Sequence, residues 1–230
     1  MDKAETETDK AFLINAEAVA NLAKSCAEAN ATFIHISTDY VFDGTASIPY
    51  NEEDEVSPVN LYGATKLQGE LLAIQHNANS IIIRTSWVYS SFGNNFVKTM
   101  LRLMKEREAI NVVSDQRGCP TYAADLAAAI MQMINQLDLA PVKRGDALAG
   151  SGIYNYSNKG AINWHEFAVA IKELSGSKCN VSPIPASQYP TPARRPSYSV
   201  MDTTKIQQVF NLNIPEWRDS LATCLKILAG

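Results

Sequence analysis

The chain has 230 residues, 20 basic and 24 acidic side chains, and a net charge of −4 at neutral pH. This length fits one large domain or a domain with a small lobe, and it buries enough surface to fold without disulfides. It has no run of five or six like charges and no apolar run of eighteen residues, which excludes a nucleic-acid tract, a polybasic membrane anchor and a transmembrane helix. We therefore expect neither nucleic acid nor a membrane as a partner.

The four cysteines, at positions 26, 119, 179 and 224, are far apart in the sequence. This spacing argues against a zinc site or a disulfide framework. The acidic, polar start at residues 1–7 is unlike a secretory signal. The sequence therefore predicts free thiols, packed as small hydrophobic groups, in a reducing cytoplasmic compartment.

The first half of the chain alternates helices with short apolar strands. Apolar side chains at three- and four-residue spacing predict a helix over 8–29, and a β-branched run predicts a buried strand over 31–37. Glycine, proline and a run of acids predict a long surface loop over 43–60, and loops of this length usually have a function. The following predicted elements are helix 61–75, strand 80–85, helix 95–106, strand 110–113, a turn-rich link 115–120 and helix 122–137.

The second half of the chain has shorter predicted elements and more proline. Five prolines between 181 and 196 exclude a helix or a central strand there. The other predicted elements are a linker at 139–151, strand 153–156, helix 163–175 and helical stretches at 203–209 and 216–228. Buried strands alternating with helices predict an α/β fold, a doubly wound parallel sheet of Rossmann type. We assign residues 1–150 to this nucleotide-binding part and 151–230 mainly to a small substrate-binding lobe.

Tyr62 and Lys66 carry the strongest local chemical signal. They are four residues apart in a predicted helix, so they lie on one face, one turn apart. A nearby ammonium group favours phenolate and lowers the pKa of a phenol. Such a tyrosine can donate a proton to a carbonyl oxygen that gains negative charge. On this pattern alone, a helix in which the pair has no chemical role stays open.

Polar and aromatic residues follow two of the predicted strands. Strand 31–37 leads into Thr38 and Asp39, and strand 80–85 leads into Trp87. Ligand sites of doubly wound sheets lie at the carboxyl ends of strands, where hydroxyl groups can share the developing charge of a substrate carbonyl. The alternatives are that Asp39 caps a turn and that Trp87 belongs to the core. His35, in the middle of its strand, is interpreted as a core histidine.

Taken together, these segments resemble the extended short-chain dehydrogenase/reductases, and within them the dTDP-4-dehydrorhamnose reductases. The resemblance rests on residues 37–44, 62–66 and 84–89, with support at 2–5, 93–96, 115–121 and 195–196. It implies reduction of the C4 keto group of dTDP-4-dehydro-L-rhamnose to dTDP-L-rhamnose, with NADPH or NADH as cofactor. It also implies a homodimer, with Mg²⁺ at the contact between subunits.

The resemblance implies a role for each matched residue. Tyr62 protonates the carbonyl oxygen, Lys66 lowers the pKa of Tyr62 and binds the nicotinamide ribose, and Thr38 supports the carbonyl. The implied cofactor-binding residues are Tyr62, Lys66 and Thr85, the implied substrate-binding residues are Thr38, Asp39, Trp87, Asn95 and Arg195, and no residue is assigned to a metal. Asn15 matches a further polar position of related enzymes, and Arg195 suits a diphosphate because its guanidinium donates a fork of hydrogen bonds.

The Gly-rich turn of dinucleotide-binding folds does not occur in this sequence, whose first glycine is Gly44. In the family, that turn lies in a β-α-β-α-β segment ahead of the part matched here, about sixty residues at ~30 per β-α-β unit. We therefore expect a truncated chain in which the strand at 32–37 is an open edge. As written, it should bind nicotinamide cofactor poorly and turn over little.

Two alternatives belong to other functional classes. One is a non-catalytic regulatory subunit of the methionine adenosyltransferase type, which resembles the same family. The other is a nucleotide-sugar epimerase or dehydratase. A dehydratase commonly has an acidic pair directly after the strand-end threonine, whereas Asp39 and Tyr40 follow Thr38 here.

Overall fold

The computed structural model describes residues 1–137 and 150–229. Its helices are α1 (Thr8–Phe12), α2 (Ala18–Glu28), α3 (Leu61–His76), α4 (Phe96–Glu106), α5 (Ala123–Leu137), α6 (Trp164–Ser175), α7 (Thr204–Val209) and α8 (Trp217–Ala229). Its strands are β1 (Phe33–Thr38), β2 (Ser80–Thr85), β3 (Val88–Tyr89), β4 (Ala109–Val113), β5 (Arg117–Gly118), β6 (Thr121–Tyr122), β7 (Gly152–Tyr156), β8 (Ile162–Asn163) and β9 (Asn180–Ile184).

The main sheet is parallel, in the order β1-β2-β7. Every residue of β2 is buried, because it lies between the other two strands and is covered on both faces. Ile82 packs with α2 and α3 on one face, while Ile81 and Ile83 pack with α5 on the other. The predicted doubly wound α/β class is confirmed.

β1 lies at the edge of this sheet among the residues described, as predicted for the strand at 32–37. Its register pairs Thr38 with Thr85, and β2 in turn pairs Thr85 with Tyr156. The carboxyl ends of the three strands therefore meet at one edge, where the candidate residues were expected.

The predicted helix at 8–29 is confirmed with one irregularity, a π-helical turn at Leu13–Glu17 between α1 and α2. Asn15 lies in this turn and donates from Nδ2 to Thr65 Oγ1 on α3 at 3.1 Å. Asn15 therefore contacts the helix that carries Tyr62, and its polar role implied by the resemblance stays a prediction.

The second packing unit combines elements from both halves of the chain. β4 pairs with β9 in parallel, and Phe167, Ile171 and Leu221 bring α6 and α8 into the core beneath them. β7, by contrast, belongs to the main sheet. Strand pairing therefore cuts across the predicted boundary at residue 150, since the apolar faces of α4 and β4 pack on the later elements.

The remaining expectations concern loops and thiols. Residues 43–60 hold no helix or strand, and Tyr50 ties this loop to the end of the chain by donating from its N–H to Val200 O at 2.9 Å. β9 contains Pro183 and, among the described strands, pairs with β4 alone, so it is not a central strand. The expectation of no helix over 181–196 is wrong at Ala186–Gln188, which forms a short 3₁₀ helix. The four cysteines are free, as predicted. The predicted linker at 139–151 lies almost wholly outside the described residues.

Candidate active site

The helix that carries Tyr62 and Lys66 begins against the end of β1. Asn60 caps it by accepting a hydrogen bond from Gly63 N at 2.8 Å, and Glu5 Oε1 accepts from Leu61 N at 2.8 Å. A Cβ atom on Gly63 would overlap the carbonyl oxygen of Tyr40. Only glycine allows this close approach, which brings the first turn of α3 onto the residues that follow β1.

Tyr62 meets Thr38, as the sequence predicts. The Thr38 hydroxyl lies close enough to the phenol to affect its pKa, and the ring of Tyr40 lies edge-on to Tyr62 with centroids 6.0 Å apart. Burial, followed by the negative charge of Asp39, raises the pKa of Tyr62, and the Thr38 hydroxyl offsets only part of this rise. Lys66 is not among the groups that shift the pKa of this phenol in the structure described, so its expected lowering of that pKa stays a prediction.

Lys66 points toward the backbone of β1 rather than toward the phenol. Its ammonium donates to Ile36 O at 2.7 Å and lies 3.0 Å from His35 Nε2. Burial lowers the pKa of Lys66 to about 8, and the nearby Glu70 carboxylate opposes this shift. An ammonium has three N–H donors, so one donor is left for a further acceptor after these two contacts.

His35 is half-exposed on the edge strand and is a partner of Lys66 rather than a core residue. Burial and then the positive charge of Lys66 lower the pKa of His35 to about 4. The imidazole is therefore neutral at pH 7, and we assign the tautomer in which Nε2 accepts the hydrogen bond of Lys66.

One turn beyond Lys66, Glu70 forms a buried ion pair. Arg84 donates to Glu70 Oε2 from Nη2 at 2.8 Å and to Glu70 Oε1 from Nε at 3.1 Å, and the Ser37 hydroxyl also hydrogen-bonds Glu70. Arg84 further lies over the ring of Phe42, 5.2 Å from its centroid. Because Ser37 directly precedes Thr38, this network fixes the end of β1 to α3.

Asp39 is 2% exposed and lacks a cationic partner in the described part of the chain. Burial raises the pKa of its carboxyl to about 6, against smaller opposing effects of the Ser199 and Thr38 hydroxyls. Its Oδ1 accepts from Thr38 Oγ1 at 3.1 Å, whereas Thr38 Oγ1 itself accepts from Tyr40 N and caps the turn after β1. Thr38 thus has the capping role that was the alternative for Asp39, and the Asp39 carboxyl remains at the site.

The other predicted ligand residues lie at different distances from this centre. Arg195 lies near it: burial and the charge of Asp39 raise the pKa of Tyr40, the charge of Arg195 opposes part of this rise, and Arg195 Nη2 lies 3.4 Å from Asp2 Oδ2. Its Nε is buried without a partner. Trp87 adopts φ +47° and stacks on Trp164.

Thr85 and Asn95 are engaged in local structure. Thr85 Oγ1 donates to Thr121 Oγ1 at 3.2 Å in the interior. Asn95 caps α4, with Oδ1 accepting from Lys98 N at 3.2 Å and Nδ2 donating to Ser90 O at 2.7 Å. Their roles toward cofactor and substrate stay predictions.

The comparisons with known proteins agree with this geometry. A family model described as the RmlD substrate binding domain matches residues 1–229. A protein of Escherichia coli K12, dTDP-4-dehydrorhamnose reductase, is 44% identical over 230 residues, covering 95% of this chain and 73% of the relative. The chain belongs to the dTDP-4-dehydrorhamnose reductase family.

Two solved reductases of this family share the fold closely. That of Clostridium acetobutylicum superposes with a TM-score of 0.92 at 38% identity, covering all of this chain and 78% of the other. That of Bacillus anthracis, solved in complex with NADP, gives a TM-score of 0.89 at 39% identity, covering 99% and 76%. The family expected from the sequence is thus confirmed.

The donor set fits the ribose and nicotinamide side of such a cofactor. Lys66 has an ammonium donor to spare, and the phenol of Tyr62 lies beside it on the same helix face. The residues described in 1–137 and 150–229 include no group of three or more His, Cys, Asp or Glu that could hold a metal ion. No described helix is long and apolar enough to cross a membrane.

Proposed function

We propose that this chain provides the catalytic and substrate-binding part of a cytoplasmic reductase that converts dTDP-4-dehydro-L-rhamnose to dTDP-L-rhamnose. The observation that carries the proposal is the pairing of the Tyr62 phenol with the Thr38 hydroxyl at the carboxyl edge of a parallel sheet, with Lys66 one turn along the same helix. When bound, reduced NADPH or NADH supplies the hydride that C4 of the sugar receives.

Tyr62 supplies the proton in this scheme. As C4 gains the hydride, its oxygen gains negative charge and takes the phenolic proton, and the alcohol product forms while Tyr62 is left as phenolate. The raised pKa of Tyr62 keeps that proton in place at neutral pH until a basic oxygen is presented. Thr38 lies beside the phenol, and its hydroxyl can turn from Asp39 Oδ1 to donate to the phenolate that remains.

Lys66 holds the ribose of the cofactor with its remaining donor, while Ile36 O and His35 fix the direction of its side chain. Asp39 and Trp87 contact the deoxysugar, Asn95 lies farther along the substrate, and Arg195 binds the diphosphate. We place the cofactor at the carboxyl edge of the sheet formed by β1, β2 and β7. The sugar extends from there toward the second packing unit, which is formed by β4, β9, α4, α6 and α8. A homodimer stays a prediction.

Two forms of the chain test the proposal. One is the 230-residue chain alone; the other, called the fusion below, is this chain joined behind the Gly-rich N-terminal segment of the Escherichia coli relative. We expect the fusion to oxidise NADPH only when dTDP-4-dehydro-L-rhamnose is present, and the chain alone to bind dTDP-L-rhamnose with little turnover. A fusion that folds but leaves the 4-keto sugar unreduced contradicts the proposal.

Lys66→Met in the fusion provides the matched variant. Because the proposed ribose contact is lost, both cofactor affinity and the rate of reduction should fall. Unchanged NADPH affinity would contradict the ribose contact of Lys66 while leaving the reductase assignment intact. Formation of an epimer or an unsaturated sugar, rather than dTDP-L-rhamnose, would support the epimerase or dehydratase alternative.

A further inference from the structure

Trp87 has a strained backbone directly after the central strand. Its φ of +47° lies in the left-handed region, which is unfavourable for a residue with a Cβ atom. The carbonyl of Trp87 accepts a hydrogen bond from Thr121 N at 3.3 Å. Such strain persists only where the surroundings over-determine it, and it concentrates at functional sites.

Contacts on one side of Trp87 lead directly to the active site. A Cβ atom on Gly118 would lie 2.7 Å from Cε2 of the indole and 2.9 Å from Ser199 Oγ, so the ring rests against a glycine beside Ser199. The Ser199 hydroxyl donates to Arg117 O at 3.5 Å and lies close enough to Asp39 to lower the pKa of that carboxyl against the larger effect of burial. Gly118 and Ser199 therefore lie between the Trp87 ring and the carboxyl that adjoins Thr38 and Tyr62.

The indole of Trp87 also stacks on the indole of Trp164. The two indoles are 12° from parallel, with ring centroids 3.5 Å apart. Trp164 is the first residue of α6, whose start is held by a complete capping box between Asn163 and Glu166. Phe96 of α4 packs on Trp164 at 4.7 Å. Trp164 is thus anchored at the start of α6, whereas Trp87 lies in the short link between β2 and β3, and both indoles pack on the core of the second packing unit.

We propose that Trp164 is a positioning residue of the sugar subsite, which holds Trp87 in place as the apolar wall of that subsite. The inference rests on the proposed function, because it takes Trp87 as a contact of the sugar. A 6-deoxysugar carries a methyl group where glucose carries a hydroxymethyl group. A fixed indole wall favours the methyl group, because burying the hydroxyl against it would leave that hydroxyl without a partner.

The stack itself is tested without any ligand, on the 230-residue chain. Two indoles in contact give an exciton couplet in the far-ultraviolet circular dichroism spectrum when their transition dipoles are rotated against each other within the stacked ring planes. Trp164→Phe and Trp87→Phe should each abolish the couplet. Trp217→Phe is the matched control, because Trp217 lies edge-on to Phe167 outside the pair. Absence of the couplet in the unmodified chain, or its persistence in Trp164→Phe, overturns the proposal.

The positioning role is tested by titrating the same chain with dTDP-L-rhamnose, dTDP-glucose and dTDP in a calorimeter. Loss of the stacked partner in Trp164→Ala should weaken dTDP-L-rhamnose binding about tenfold. It should also narrow the preference over dTDP-glucose and leave dTDP binding unchanged. Trp164→Phe keeps an aromatic support and should recover most of the affinity, which also guards against a folding defect in the alanine variant.

The outcomes distinguish failure of the positioning role of Trp164 from failure of the proposed function. A Trp164→Ala variant that loses the couplet but binds dTDP-L-rhamnose as tightly as the unmodified chain overturns the positioning role and leaves the proposed function standing. An unmodified chain that binds dTDP but discriminates against dTDP-L-rhamnose contradicts the proposed function itself. Equal weakening of dTDP and dTDP-L-rhamnose in both Trp164 variants indicates general loosening and overturns the inference.

Discussion

The two ends of one face of α3 treat buried charge in different ways. Tyr62, Lys66 and Glu70 are four residues apart and form one stripe along this face. Toward the C-terminal end of the stripe, Glu70 is paired with Arg84 and hydrogen-bonded by Ser37. Toward its beginning, Tyr62 and Lys66 have neutral partners, and the neighbouring Asp39 has none of the described cations within salt-bridge distance. The pKa values of these three groups are displaced from their ordinary values, as is common where protons are exchanged. The carboxylate of Glu70, which fixes the structure, thus has an ionic partner, whereas Tyr62, Lys66 and Asp39, to which chemical roles are assigned, have none within salt-bridge distance among the described residues.

The largest effect is expected from Tyr62→Phe, which removes only the proton donor. The rate of reduction by the fusion should fall by roughly 10²- to 10⁴-fold, as for the loss of a general acid. Affinities for cofactor and nucleotide sugar should change little, because the ring remains in place. NADPH oxidation measures the rate, and Tyr189→Phe, at a largely exposed tyrosine, is the control. Turnover close to that of the unmodified fusion would show that Tyr62 does not donate the proton.

At the other end of the stripe, Glu70→Gln should act on stability. It leaves the guanidinium of Arg84 buried without its anion, which typically costs about 3–5 kcal/mol. Urea unfolding of the 230-residue chain measures this cost. Glu106→Gln breaks the exposed pair with Arg102 and should cost no more than about 1 kcal/mol. Equal costs at the two positions would remove the distinction between the paired and unpaired ends.

Asp39→Asn should make the chain more stable at neutral pH. The unfolded carboxyl ionises near pH 4, whereas the folded state retains the proton up to about pH 6. The folded state therefore loses stability relative to the unfolded state as pH rises between these values, and the variant avoids a loss of about 2–3 kcal/mol at pH 7. Thermal unfolding between pH 4 and 8 should show a gain that grows with pH, accompanied by weaker sugar binding.

Asp43→Asn provides a comparison of opposite sign for Asp39. Hydrogen bonds from Thr45 and Tyr50 lower the pKa of Asp43 to about 2. Its ionised form therefore stabilises the fold above pH 4, and that contribution is lost as pH falls toward 2. Asp43→Asn should lower the melting temperature at neutral pH. A pH-independent effect of both substitutions would contradict the role of burial at Asp39.

Sequence patterns predict the elements well and their partners less well. Apolar runs such as Ile81–Ile83 and the four-residue spacing of Tyr62 and Lys66 are local signals, and the structure confirms the strand and helix built on them. The same spacing extends to Glu70, which the sequence analysis did not use. Ser199 and Trp164 had no such signal, because each reaches the site through a contact between segments far apart in the chain.

The direction of a charge effect is also set by tertiary structure. The sequence predicts that Lys66 lowers the pKa of Tyr62 because they share a helix face. In the structure, the ammonium is drawn to Ile36 O and His35, and burial dominates the environment of the phenol. Strand pairing likewise decided the lobe boundary, since β4 found its partner in β9, about seventy residues later in the chain.

At Gly63, helix α3 packs against the backbone that follows β1 with no space for a side chain. Helix α3, which carries Tyr62, and the backbone at Tyr40, two residues after Thr38, approach so closely that even a methyl group between them would not fit. Helix and strand end must therefore shift together, and any loosening of one displaces the phenol from its hydroxyl neighbour. A substitution that adds even one carbon atom at position 63 would therefore have to move the helix or the strand end.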